Sequence, residues 1–159
     1  VLYSSSEDNS KTQVEEFTIL AEKAGYKVLP YSVPSTNEIA STMNVMTGKV
    51  DAIWIPIDNT IASAFSTVVS SNQTVKKPIY PSATAMVKEG GLGSVVVDQK
   101  ELGVAAGKMT AKILKGAKPA NTAVEIFNTG KTVVNKKVAA QLGITIPDDV
   151  LKKAGQVIE

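Results

Sequence analysis

Near its start the chain packs hydroxyl, amide and carboxylate groups into one run, Ser4-Ser5-Ser6-Glu7-Asp8-Asn9-Ser10. Polar groups of this kind, set where backbone N–H donors open a helix, suit a bound anion such as a carboxylate. Ser10 and Gln13 also have capping-box spacing, so helix capping alone accounts for Ser10. One cap does not use so many polar side chains, which leaves Ser6 and Asn9 as candidate ligand contacts. A second cluster, Asp58-Asn59-Thr60, sets an acceptor-only carboxylate beside an amide that both donates and accepts. Asp58 reads either as an N-cap or as the acceptor of a ligand ammonium. Ser82 and Thr84 form a third polar point. Asp98 is a fourth, and its capping-box spacing to Glu101 makes capping the simpler reading there. Among the aromatics, Tyr80 directly precedes a loop and is placed to stack a ring, whereas Trp54 lies mid-strand and reads as core.

Little of this points to catalysis. Glu7, Asp58 and Asp98 are the carboxylates available for acid–base work, but no spacing fixes their separation. The chain has neither His nor Cys, which removes the usual general base near neutral pH, thiol nucleophiles, disulfides and most zinc sites. All seventeen cationic residues are lysine, so no guanidinium clamps a carboxylate or phosphate bidentately. No glycine-rich phosphate loop follows the first strand, and no cofactor is implied. A phosphoacceptor receiver domain would want paired acids directly after its first strand, and Glu7-Asp8 lies too deep in the loop for that. A net charge of +2, spread along 159 residues without a basic stripe, argues against nucleic acid.

The elements that must position these groups repeat one plan. Five times an apolar strand runs into a polar loop that opens a helix: VLY from Val1, KVLPYSV from Lys27, DAIWIPI from Asp51, PIYPS from Pro78 and SVVVD from Ser94. Strands alternating with helical patterns imply βαβ units, here a doubly wound five-stranded parallel sheet with helices on both faces. In such a sheet ligands bind beyond the carboxyl ends of the strands, where the strand order reverses. Every polar cluster above lies at such an end. The spacing predicts helices after each strand, with stops at Gly25, Gly48, Gly90-Gly91 and Gly116, and one continuous helix carrying Ile61, Ala64, Phe65 and Val68.

Beyond Gly116 the pattern changes. TAVEIF and TVV read as short β-runs about a hairpin or bulged turn at Asn128-Thr129-Gly130-Lys131. Asn135 to Leu142 reads as a helix ended by Gly143, and Pro147 starts a last helix with Val150, Leu151, Ala154 and Val157 on one face. This tail has no obvious place in a parallel sheet of five strands. The expected division is a strand–helix lobe over 1–98 and a helix-plus-tail unit over 99–159. No apolar run approaches the roughly 20 residues of a membrane span. The chain opens on Val1, already inside a strand, which reads as a fragment lacking an N-terminal portion.

Tyr3 through Ser10, Val50 through Asn59, Pro78-Ile79-Tyr80, Glu101-Leu102-Gly103, Ile113 through Gly116 and Asn135 through Pro147 resemble the ABC-transporter substrate-binding protein family that includes aromatic-amino-acid binders. The family often has Asn-Pro where Ser4-Ser5 stands, and an acidic residue near Ala83 or Thr84. The resemblance implies two doubly wound lobes closing on a small solute, with this chain as the C-terminal lobe and a tail that crosses to the other, missing lobe. It implies solute contacts at Ser6, Asn9, Ser10, Asp58 and Asn59, and more loosely at Ser82 and Asp98. It implies no catalysis, a membrane permease as partner, and an extracytoplasmic lipoprotein. An amino acid is the favoured solute, its carboxylate on the first loop and its ammonium on Asp58. Asp58→Ala would then abolish binding and leave the melting temperature nearly intact. Without the missing lobe, self-association is one way to cover the surface it leaves. A transcription regulator's effector-binding domain shares this lobe plan and is the alternative; an enzyme of the flavodoxin-like plan is a third.

Overall fold

Side chains alternate between the two faces of a strand, so each short strand here offers one residue type to the core and another outward. A computed structural model describes residues 1–127 and 130–159. In chain order the elements are β1 (Leu2–Ser4), α1 (Asp8–Lys23), β2 (Tyr31–Val33), a 3-10 turn at Thr36–Glu38, α2 (Ile39–Met46), β3 (Ile53–Ile55), α3 (Asn59–Ser63), α4 (Phe65–Asn72), β4 (Ile79–Pro81), α5 (Thr84–Glu89) and β5 (Gly93–Val96). Then follow α6 (Gln99–Leu114), a 3-10 turn at Pro119–Asn121, β6 (Lys131–Asn135), α7 (Lys136–Leu142), α8 (Asp148–Lys153) and β7 (Gln156–Ile158).

Leu2, Ile53, Ile55 and Ile79 point to one face and are fully or almost fully buried against Ile39, Met43 and Met46 of α2, Ile61 of α3, Phe65 and Val68 of α4 and Met86 of α5. Tyr3, Trp54 and Tyr80 point to the other face. There α1 covers Trp54, with the Phe17 ring stacked on it at 4.0 Å and 5°. Helices therefore lie on both faces, as the pattern predicts for a doubly wound sheet. Trp54 is half-buried under that stack, and Tyr80 is 39% exposed.

Ladder hydrogen bonds join β1 to β2 and β3 to β4, both parallel. β1 lies beside β3, and β4 beside β5, where Leu92 N donates to Ile79 O at 2.7 Å. From β1 the chain goes one way to β2 and the other way to β3, so the reversal of strand order falls between β1 and β3.

Several expectations are corrected. The sheet does not stop at five parallel strands. β6 pairs antiparallel with β5, and β7 pairs parallel with β6. An uncovered β5 edge would leave unpaired backbone groups, and the returning strand satisfies them. Residues 131–158, expected to cross to another lobe, thus pack here. Buried Asn135 pins the return: its Oδ1 accepts from Val138 N to cap α7, and its Nδ2 donates to Val87 O. The run TAVEIF forms no strand over its described residues 122–127. The expected turn at Asn128 and Thr129 lies outside the described residues. Val157 belongs to β7, not to the last helix, because α8 ends at Lys153 and Gly155 N donates to Thr132 O. The helix expected through Ile61 and Val68 breaks at Ala64 into α3 and α4.

Candidate functional site

At the β1/β3 junction the first two polar loops meet. Asp58, 2% exposed, sits between them. Its Oδ2 accepts from Ser4 N at 2.6 Å and from Ser10 Oγ at 2.7 Å, and its Oδ1 accepts from Ile61 N at 2.8 Å to cap α3. The carboxylate replaces the ladder bonds missing between β1 and β3 and fixes where the two loops stand. Three protein donors and near-complete burial hold this carboxylate behind the rim, so the geometry gives it a structural tie and not the open face that the expected ammonium role needs.

Ser10 does not cap α1. The helix begins at Asp8 with Glu7 in the N-cap position, and no side chain caps it. Ser10 is buried within the first turn, where its hydroxyl reaches Asp58 and also Ile57 O at 3.2 Å. Gln13, expected to complete the capping box, instead accepts from Ile57 N at 3.1 Å. The interior of the sheet edge offered these side chains partners that outcompeted local capping.

Asn9 is exposed and its Nδ2 donates to Ile57 O at 2.7 Å, which leaves its Oδ1 without a protein donor among the described residues. Glu7 spans the gap. Its Oε1 accepts from Thr60 N at 2.7 Å and Thr60 Oγ1 at 2.8 Å, and its Oε2 from Asn59 N at 3.0 Å and Asn59 Nδ2 at 3.1 Å. Partial burial pushes this carboxyl up, but the four donors, led by Asn59 N, outweigh it and hold its pKa below the ordinary value. Ser6 is exposed at the lip, with its Oγ 2.7 Å from Ser4 Oγ.

The structure therefore brings Ser6, Asn9, Ser10, Asp58 and Asn59 together on one rim. Ser82 joins its edge, where Ser82 Oγ donates to Ile55 O at 2.6 Å. Asp98 does not join it. It caps α6 through Lys100 N and Glu101 N and pairs with Lys131 Nζ at 2.5 Å, none of them rim residues. The sequence suggests acid–base or anion-loop roles for Glu7 but no partner in the next loop, and it gives Thr60 no separate role. Their link joins residues more than fifty positions apart, and no local spacing encodes it.

The rim is an open shelf. Two concavities lie elsewhere: one of about 590 Å³ between α4, α5 and α7, and one of about 1320 Å³ between α6 and residues 117–127. A shelf whose polar groups face outward is what one wall of a two-walled cleft looks like. No group of three or more metal-ligating side chains occurs among the described residues.

Comparison with known proteins fits this geometry. The family model for ABC transporter substrate binding proteins matches residues 1–158. A solved ABC domain in complex with L-Trp from Streptococcus pneumonia is 74% identical, with a TM-score of 0.94 over 99% of this chain and 53% of that one. A conserved domain protein from Vibrio cholerae is 31% identical, with a TM-score of 0.90 over 98% of this chain and 53% of that one. A tyrosine-binding protein of Clostridioides difficile is 29% identical over 136 residues, 86% of this chain and 39% of that protein. The chain thus spans about half the length, or less, of the relatives it matches.

Proposed function

The chain belongs to the ABC transporter substrate-binding protein family, and from that premise we propose that it is one lobe of a binding protein that grips an aromatic L-amino acid and hands it to a membrane permease. The observation that carries the solute class is the 74% identical domain that holds L-Trp. The rim supplies the means. Ser6, Asn9 and Asn59 stand outward as polar contacts, while Asp58 and Ser10 lie behind them and hold the shelf in shape. Asn9 Oδ1 and Asn59 Oδ1, free of protein donors among the described residues, are the acceptors offered to an ammonium. Ser82 lies at the edge of this contact set, and Asp98 serves the junction to α6.

Closure of a second lobe over the shelf would remove water from the solute and complete its contacts. The segment from α6 through residue 127 is the part we assign to that second lobe, because α6 buries none of its residues here. The protein binds its solute unchanged, in keeping with a rim whose carboxylates are spent on protein donors. Its family supports a place outside the cytoplasmic membrane; an acyl anchor would sit outside residues 1–159, since these contain no cysteine.

The test is a thermal-shift and calorimetric screen of the two-lobed protein against amino acids, sugars and nucleosides. Tryptophan, tyrosine or phenylalanine should raise Tm and bind with one-to-one stoichiometry. A response to sugars or nucleosides alone would overturn the reading.

A further inference from the structure

Glu7 gives up the local role its position offers. It occupies the N-cap position of α1, with φ −113° and ψ 114°, yet its side chain accepts no capping bond from that helix. Its carboxylate reaches instead to the next loop, where two backbone and two side-chain donors surround it. A carboxylate held by four donors is fixed in position and orientation, and fixes them in return. Two consequences follow from the geometry. The β1–α1 loop and the start of α3 are tied at the lip of the shelf, outside the buried tie that Asp58 makes below. The Asn59 amide is also oriented, because its Nδ2 is committed to Glu7 Oε2 and its Oδ1 is left facing no protein donor among the described residues.

We propose that Glu7 is a positioning residue for solute binding: it holds the two rim loops in register and sets the Asn59 amide with its oxygen free for the solute. This rests on the binding function proposed above. Asp58 sets the depth of the junction and Glu7 sets its lip, so the two carboxylates divide the work between fold and site. Glutamine at this position keeps the shape but turns an NH2 group toward N–H donors. It must lose at least one of the backbone bonds from Asn59 N or Thr60 N, which loosens the lip tie that orients the Asn59 amide.

The experiment uses the two-lobed protein with Glu7→Gln, Asn59→Ala and the double variant. Affinity for L-tryptophan is measured by calorimetry, and the Asn59 side-chain and Thr60 backbone amide resonances are followed against pH. Glu7→Gln should weaken binding about five- to tenfold, and the double variant should be no weaker than the weaker single one, because both changes disable the same acceptor. In the unsubstituted protein both resonances should move together with a midpoint below the ordinary glutamate range, and Glu7→Gln should abolish that movement. Binding within twofold of the unsubstituted protein, or multiplicative losses in the double variant, would overturn the proposal even if the titration is seen. If none of L-tryptophan, L-tyrosine and L-phenylalanine binds, the functional reading falls. The resonances then decide the geometric claim alone: movement with a low midpoint supports the tie, and its absence sinks it.

Discussion

Asp58 shows how far a residue's chemistry can be read without its neighbours. Its type and its place before a helix are enough to suggest an N-cap, and it does cap α3 through Ile61 N. Nothing in the sequence shows that its other oxygen receives Ser4 N and Ser10 Oγ across the β1/β3 junction. That difference reverses an expectation. Removing this buried carboxylate strands Ser4 N with no acceptor and uncaps α3, a combination on the order of 3 kcal/mol. Asp58→Ala should therefore lower stability by that order in urea denaturation, with a clear fall in Tm, and any loss of solute affinity will follow from the distorted shelf. A variant with unchanged Tm and no binding would restore the direct-contact role. Ser10 carries the same lesson. Its capping-box spacing was legible, but its buried position in the first turn of α1 gave it a partner across the junction.

The alternation of strands and helices, the glycine stops and the Asp98 cap were legible because each depends on residues within one or two turns of one another. Gly25, Gly116 and Gly143 end their helices at positive φ, where a side chain is strained. What the sequence hid was pairing between distant elements, above all the return of β6 onto β5. The same return sets Lys131 against the start of α6, 2.5 Å from Asp98 and 3.2 Å from Glu101. Asp98 caps the start of α6 and Lys131 opens β6, so this ion cluster clasps the starts of the two elements together. The Lys131 ammonium, first, and then the Glu101 N–H hold the Asp98 carboxyl below its usual range, and Asp98 in turn raises Lys131. The clasp is thus complete above the ordinary carboxylate range and is lost as pH falls through the lowered Asp98 value. At the alkaline end it is lost as pH rises through the raised Lys131 value. Lys131→Ala should shift the Asp98 carboxyl titration, followed by carbon NMR, upward toward the ordinary aspartate range. Because the cluster is solvent-exposed, 1 M salt should move the unsubstituted protein the same way. An Asp98 midpoint indifferent to both changes would mean that no clasp forms in solution.

At the scale of the molecule, residues 99–127 are out of proportion with the rest. α6 runs sixteen residues without burying one of them. Leu114 is 82% exposed, and beyond it Val124 and Ile126 are 85% and 76% exposed. In water a helix of this length, with only Ala105, Met109 and Ile113 partly covered, is marginal, because its formation relies on burying an apolar face. The core of β1 to β5, in contrast, packs Met43, Ile53, Ile55 and Phe65 out of contact with solvent or nearly so. The chain studied alone should therefore show two classes of backbone amide. Those of β1, β3 and α4 should exchange slowly, while those of α6 exchange close to the rate of an unfolded peptide. In the two-lobed protein α6 should become as protected as α4, and sedimentation of the isolated chain should show the self-association that an uncovered apolar face invites. Equal protection of α6 in both forms would place its partner within this lobe, and the assignment of residues 99–127 to a second lobe would then have to be given up.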